Sequence, residues 1–182
     1  MLRRLGWNFR VISPDIDESP DPGETPAAFA RRAAMDKAHF LVNQHAFSQA
    51  VIITADTVVT IDGQILGKPA DPPDAEYMLH LLNDRTHHVL TGFCLLECKD
   101  GQVRRRYDKT VSTEVTFRKL HASEISAYIA GGEPFDKAGA YAIQEGAAHM
   151  VSRINGSYTN VVGLPLAELS EAMFDVFGYR NE

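Results

Sequence analysis

Val51-Ile52-Ile53-Thr54-Ala55-Asp56-Thr57-Val58-Val59-Thr60-Ile61-Asp62-Gly63-Gln64-Ile65-Leu66 is the stretch whose reading decides the fold. β-branched and apolar residues fill it, with one acidic interruption at Asp56, so it predicts a buried strand. Asp62-Gly63 is a hairpin turn signal, and Gln64-Ile65-Leu66 returns beside the strand. Upstream, Thr25 can cap a helix and Pro26 fits its first position; the helix runs through Ala34 and Lys37 to about Val42. Downstream, Asp71-Pro72 opens a second helix that ends near Leu82. Val89 to Glu97 and Val103 to Phe117 read as long strands joined at Lys99-Asp100-Gly101. Ser123 to Ile129 predicts a short helix stopped by Gly131-Gly132, and Leu166 to Phe177 a closing amphipathic helix. Short strands are expected at Phe9 to Ile12, Tyr141 to Ile143 and His149 to Ile154. Helices that alternate with hairpins imply an α/β domain with a mixed sheet rather than a purely parallel one.

The chain has 182 residues, which suits one domain spanning 1–182. Apolar residues make up 45% and charged residues 23%, a globular balance, and the formal charge of −6 argues against a nucleic-acid partner. Ser19-Pro20-Asp21-Pro22-Gly23-Glu24 reads as a loop and not as a domain boundary. Cys94 and Cys98 lie in an apolar stretch at no metal-ligand spacing, so they read as free thiols. No apolar run reaches the ~20 residues that span a membrane. The opening Met1-Leu2-Arg3-Arg4-Leu5-Gly6 lacks a signal-peptide core. A cytoplasmic protein without a membrane partner is the expectation.

Asp56 is the most informative single residue. A carboxylate inside an apolar strand is costly unless something pairs with it. Two readings are open: a structural Asp held by backbone N–H groups, or a functional carboxylate. Lys68, in Gly67-Lys68-Pro69, is either a solvated turn lysine or a point charge for phosphate. Asp15-Ile16-Asp17-Glu18 is either a solvated acidic loop or a set of oxygen ligands of the kind that suits Mg²⁺ or Mn²⁺. In extended geometry Asp15 and Asp17 would share a face and Glu18 would point away. Lys37, Arg31, Arg32 and Asp36 read by themselves as helix surface charges. Arg104-Arg105-Arg106 reads as the exposed end of a hairpin. His87 and His88 face opposite sides of a strand and cannot easily share a metal. No Walker-type or dinucleotide-binding glycine loop is present, which leaves metal-assisted hydrolysis as the simplest enzymatic reading.

Taken in order, these signals resemble one family. Asp17-Glu18-Ser19-Pro20, Asp36-Lys37-Ala38, Ala55-Asp56-Thr57-Val58-Val59, Gly67-Lys68-Pro69, Asp136-Lys137-Ala138-Gly139-Ala140-Tyr141-Ala142-Ile143-Gln144 and Gly156-Ser157-Tyr158-Thr159-Asn160-Val161-Val162-Gly163-Leu164-Pro165-Leu166 match the Maf pattern over nearly the whole chain. The resemblance implies an α/β fold with a mixed twisted sheet, flanking helices and a deep cleft between two lobes. It implies a homodimer and a nucleoside triphosphate pyrophosphatase that uses Mg²⁺, Mn²⁺ or Co²⁺. By position, Asp56 resembles the family's catalytic base and Glu18 a metal or water-positioning carboxylate, with Glu18 and Asp56 as metal ligands. Lys37 and Lys68 resemble the phosphate-binding lysines, and Thr57 and Gln144 the residues that set base specificity.

Asp56-Thr57 and Ile143-Gln144 resemble the branch that acts on dTTP and UTP, with modified pyrimidine nucleotides as further substrates. The branch acting on 7-methyl-GTP differs at Thr57 and Gln144. One feature pulls the other way. The family pattern opens with a strand and a Ser-x-Ser-Pro-Arg-Arg loop, and this chain starts inside the helix that follows them. Arg3 and Arg4 align with that helix and do not replace the loop. Low activity relative to a chain carrying the loop is therefore expected. The competing function is a non-catalytic nucleotide- or partner-binding regulator of cell division.

Overall fold

The computed structural model describes residues 1–179. Five strands form one sheet: β1 (Gln49–Ile61), β2 (Gln64–Leu66), β3 (Thr86–Lys99), β4 (Gln102–Phe117) and β5 (Val151–Asn155), in the order β2-β1-β3-β4-β5. The β1/β2 and β4/β5 pairs are antiparallel. Helices α1 (Pro26–Gln44), α2 (Pro72–Leu82), α3 (Ala122–Ala130), α4 (Tyr158–Val161) and α5 (Leu166–Asp175) complete the α/β architecture. Both tight turns form where they are expected. Asp62 and Gly63 have φ of 53° and 79°, and Asp100 and Gly101 have 53° and 72°. Two consecutive positive φ values define the type I′ turn, whose twist matches that of paired strands.

Helix starts also follow local chemistry. The Thr25 hydroxyl accepts from the Ala28 N–H at 3.3 Å with Pro26 next in line. Asp71 accepts from the Asp74 N–H at 2.9 Å, again with a proline following. Each cap satisfies an N–H that the helix itself leaves unpaired.

The chain divides into two compact units. One comprises 1–56, 91–111 and the chain from Gly163 onward. Its β3 segment is buried on both faces, and side chains alternate between two cores. Cys94, Leu96 and Cys98 pack with Ala34, Ala38 and Leu41 of α1. Phe93 and Leu95 pack with Leu169, Ala172 and Met173 of α5. Both cysteines are free and buried. The small residues Ala30, Ala33, Ala34 and Ala38 bring α1 close to the sheet: a Cβ on Gly92 would lie 2.2 Å from the Ala30 carbonyl oxygen.

The second unit comprises 57–90 and 112–162. Its core joins Val59, Leu66, Leu79, Leu82, Val115 and Ile125. His87, Phe117 and Tyr141 form a T-shaped aromatic trio with centroids 4.8–5.4 Å apart. His87 is buried and His88 exposed, as adjacent strand residues should be. Burial holds the His87 imidazole down at about 3, so it stays neutral.

Three expected strands differ. Phe9 to Ile12 forms no strand; Phe9 and Val11 are exposed, and of the four residues Ile12 is the one that packs, against the core between α1 and β3. Tyr141 to Ile143 is not a strand either. Gly139 and Ala140 both turn through positive φ just before it, and the Ala142 N–H donates to the Tyr128 hydroxyl instead of a ladder. The strand expected from His149 begins at Val151, because a 3₁₀ turn takes Gly146–Met150.

Candidate active site

Asp56 and Thr54 stand two apart on β1 and therefore share a face. That face meets α1. The Thr54 hydroxyl donates to the Ala34 carbonyl at 2.6 Å, and one helical turn further on the Lys37 ammonium donates to the Asp56 carboxylate at 2.6 Å. Two residues along the strand thus match three along the helix, which is how a lysine on α1 finds the one charge inside β1. The ammonium also makes an ion pair with Glu18 at 3.1 Å and approaches the Ala55 carbonyl at 3.5 Å.

Glu18, Lys37 and Asp56 therefore converge, although they come from a loop, a helix and a strand. Their exposure is graded: the Asp56 side chain is 10% exposed, Lys37 14% and Glu18 43%. Burial raises the Asp56 carboxyl above the usual carboxylate range; Lys37 opposes the shift and Glu18 adds to it. So the lysine leaves the carboxylate incompletely compensated. Two carboxylates that share one ammonium leave one negative charge uncompensated, which a proton or a further cation would offset. A hard divalent cation of the Mg²⁺ type takes one or two carboxylates and fills its remaining positions with water and phosphate oxygens. Glu18 and Asp56 fit that donor set. Among the described residues, no group of three or more His, Cys, Asp or Glu side chains is gathered for a metal.

Within the acidic cluster, Asp17 and Glu18 part, as the extended geometry has it. The Asp17 carboxylate accepts from the Ser19 N–H at 2.9 Å and shapes the loop. Glu18 is the member turned toward the lysine. Arg32 and Asp36, read as surface charges, belong to a network under the same loop.

In the second unit, Lys68 is exposed in the loop after β2. The Gly67 carbonyl accepts from the Gly139 N–H at 3.0 Å, which ties this loop to Asp136-Lys137-Ala138. Lys137, 2.9 Å away, holds the Asp136 carboxyl below its ordinary range, with Lys68 adding to the effect. Gln144 is exposed in a turn pinned on both sides. Ala142 N–H donates to the Tyr128 hydroxyl at 3.2 Å, Gly146 N–H to the Glu133 carboxylate at 2.9 Å, and Tyr128 to Glu133 at 2.8 Å. Thr57 is half-buried and follows Asp56 directly.

The longest motif, residues 156–166, proves architectural at its centre. Asn160 is fully buried and donates to the Val89 carbonyl and the Thr113 hydroxyl, both at 3.0 Å. Thr113 also accepts from the Ser157 N–H at 3.0 Å. Arg104, Arg105 and Arg106 are exposed near the β3–β4 turn, as expected of a hairpin end; Arg105 donates to the Val176 carbonyl and Arg106 to Asp108.

The family model described as Maf-like protein matches residues 1–176. The chain belongs to the Maf family. Among the relatives of this Maf protein is a dTTP/UTP pyrophosphatase of Geobacter metallireducens, 51% identical over 173 residues, or 94% of this chain and 86% of the relative. Another dTTP/UTP pyrophosphatase, from Citrifermentans bemidjiense, is 47% identical over 173 residues, 95% of this chain and 87% of its own. A third, from Pelotomaculum thermopropionicum, is 41% identical over 180 residues, 99% and 91% of the two chains. Among the described residues of this Maf protein, no helix is long and apolar enough to cross a membrane.

Proposed function

We propose that this Maf protein is a nucleoside triphosphate pyrophosphatase acting on dTTP and UTP. The observation that carries the reading is the convergence of Glu18 and Asp56 on the Lys37 ammonium. Relatives at 41–51% identity that bear the name dTTP/UTP pyrophosphatase support the substrate class.

The reaction is NTP + H₂O → NMP + PPi. A water oxygen attacks the α-phosphorus, the bond from that phosphorus to the β-bridging oxygen breaks, and its electron pair leaves on pyrophosphate. The water proton goes to the Asp56 carboxylate. A carboxyl raised above its ordinary range is a better base for this step than a solvated one. Lys37 fixes the direction of that carboxylate and offers positive charge for phosphate oxygens. Glu18, paired with the same ammonium, helps orient the water. A divalent cation (Mg²⁺, Mn²⁺ or Co²⁺) held by Glu18 and Asp56 would neutralise charge on the triphosphate. The family resemblance gives Lys68 to the phosphates and Thr57 and Gln144 to the base. The Gln144 amide can both donate to and accept from a pyrimidine edge.

The test is pyrophosphate release from dTTP, UTP, 7-methyl-GTP and the common nucleotides, with Mg²⁺ or Mn²⁺, beside Asp56→Asn. Release from dTTP and UTP that vanishes in the variant supports the proposal. Release from none of them, or equal rates in the variant, overturns it.

A further inference from the structure

Glu18 is held in place by something other than its own burial. Residues 7–25 form no helix or strand, and the Glu18 side chain is 43% exposed, so few of its own contacts constrain it. Yet its carboxylate meets an ammonium that is itself nearly buried. The loop has a local frame: Ser19 N–H on Asp17, Asp21 N–H on the Glu24 carboxylate at 3.0 Å, and Glu24 N–H on the Asp21 carbonyl at 3.0 Å. A frame that bonds only to itself does not fix where the loop lies against α1.

Arg32 supplies that anchorage. One Nη donates to the Ser19 carbonyl, the residue after Glu18, at 2.9 Å. The same nitrogen and Nε each reach a Glu24 carboxylate oxygen at 2.9 Å, a bidentate pair. The other Nη donates to Asp36 at 3.0 Å, one helical turn along α1. The guanidinium also stacks over the Phe29 ring at 5.5 Å. We propose that Arg32 is a positioning residue, whose guanidinium staples the Glu18 loop to α1 so that Glu18 stays beside Lys37 and Asp56. The staple needs a planar fork: a lysine presents one rotating point charge and cannot hold the Ser19 carbonyl and both Glu24 oxygens together. This rests on the reading of Glu18 as a carboxylate of the hydrolytic site.

The proposal is tested on the full chain with dTTP and Mn²⁺, using Arg32→Lys, Arg32→Gln, Glu18→Gln and the double variant Glu18→Gln with Arg32→Lys. Removing such a supporting contact typically costs about 10–100-fold. Arg32→Lys should lower kcat by that range and leave KM for dTTP near its original value. In the Glu18→Gln background the same substitution should cost less than about 3-fold more, because the group it positions is already gone. Amide hydrogen exchange at Ser19 and Glu24 should quicken in Arg32→Lys and Arg32→Gln, while amides late in α1 keep their protection. Losses that multiply in the double variant, or unchanged exchange at Ser19, overturn the proposal. If the unsubstituted chain releases no pyrophosphate, the pyrophosphatase reading fails by itself. Exchange at Ser19 then decides the staple alone: faster in both Arg32 variants supports it, unchanged overturns it.

Discussion

Replacing Gly92 by alanine should push α1 off the sheet and draw Lys37 away from Asp56. A Cβ at this position would lie 2.2 Å from the Ala30 oxygen, 2.3 Å from the Ala30 carbonyl carbon and 2.5 Å from the Arg31 nitrogen. Carbon contacts settle near about 3.5 Å, so the new methyl is about 1 Å too close. The atoms it meets are helix backbone and cannot rotate aside. Overpacking usually costs about 1–3 kcal/mol, and this case belongs at the upper end. Against it stands the smaller chain entropy of alanine in the unfolded state, about 0.4–1 kcal/mol. The net expectation is a loss of about 2 kcal/mol. The effect on turnover is larger. Lys37 lies on the same rigid helix, about 10 Å along its axis from Ala30. A shift of about 1 Å there takes the Lys37–Asp56 contact beyond hydrogen-bonding range. Misplacement on that scale can cost on the order of 100-fold in rate. Urea unfolding read from Trp7, the single tryptophan, gives the stability. Pyrophosphate release at low urea, where the variant is still folded, gives the rate. A midpoint equal to or above that of the unsubstituted chain, with unchanged slope and turnover, would refute the packing argument.

A raised Asp56 carboxyl must lose its proton before it can accept one from water, so kcat/KM should rise with pH through its titration and fall away below it. Asp56→Asn should remove this acid limb along with the activity, and a limb that persists at residual turnover would assign it to another group. Asn160→Ala should cost about 2–3 kcal/mol, because it strands the buried Val89 carbonyl; a change under about 0.5 kcal/mol in chemical denaturation would contradict that. Arg118, with help from the His121 N–H, depresses the Glu124 carboxyl from 4.5 to about 2. The contribution is therefore complete above about pH 4.5 and lost as pH falls toward 2. The Tm advantage of the unsubstituted chain over Glu124→Gln should follow that window, and a difference independent of pH would reject the linkage.

Local chemistry was legible wherever a few neighbouring residues settle the outcome. Asp62-Gly63 and Asp100-Gly101 fixed their turns because few other residues accept two positive φ values in succession. Thr25-Pro26 and Asp71-Pro72 fixed helix starts because a cap needs only the next three residues. Tyr141 to Ile143 misled because its partners are remote: Tyr128 lies thirteen positions before Tyr141 and takes the amide of Ala142. Asn160 lay inside a recognised motif, yet nothing local shows that it bonds to β3 and β4.

The site divides the same way. By itself, the sequence established that a carboxylate sits in an apolar strand, and that such a charge requires a partner. It could not name the partner, since Arg31, Arg32 and Lys37 are all cations on one helix. Packing made the choice. Alanines let α1 approach the sheet, the Thr54–Ala34 bond sets the alignment, and the cation one turn beyond Ala34 is the one that reaches Asp56. Arg32 points toward the Glu18 loop and becomes its anchor. Helix periodicity distributes side chains around an axis, and only the docked helix decides which of them faces the buried charge.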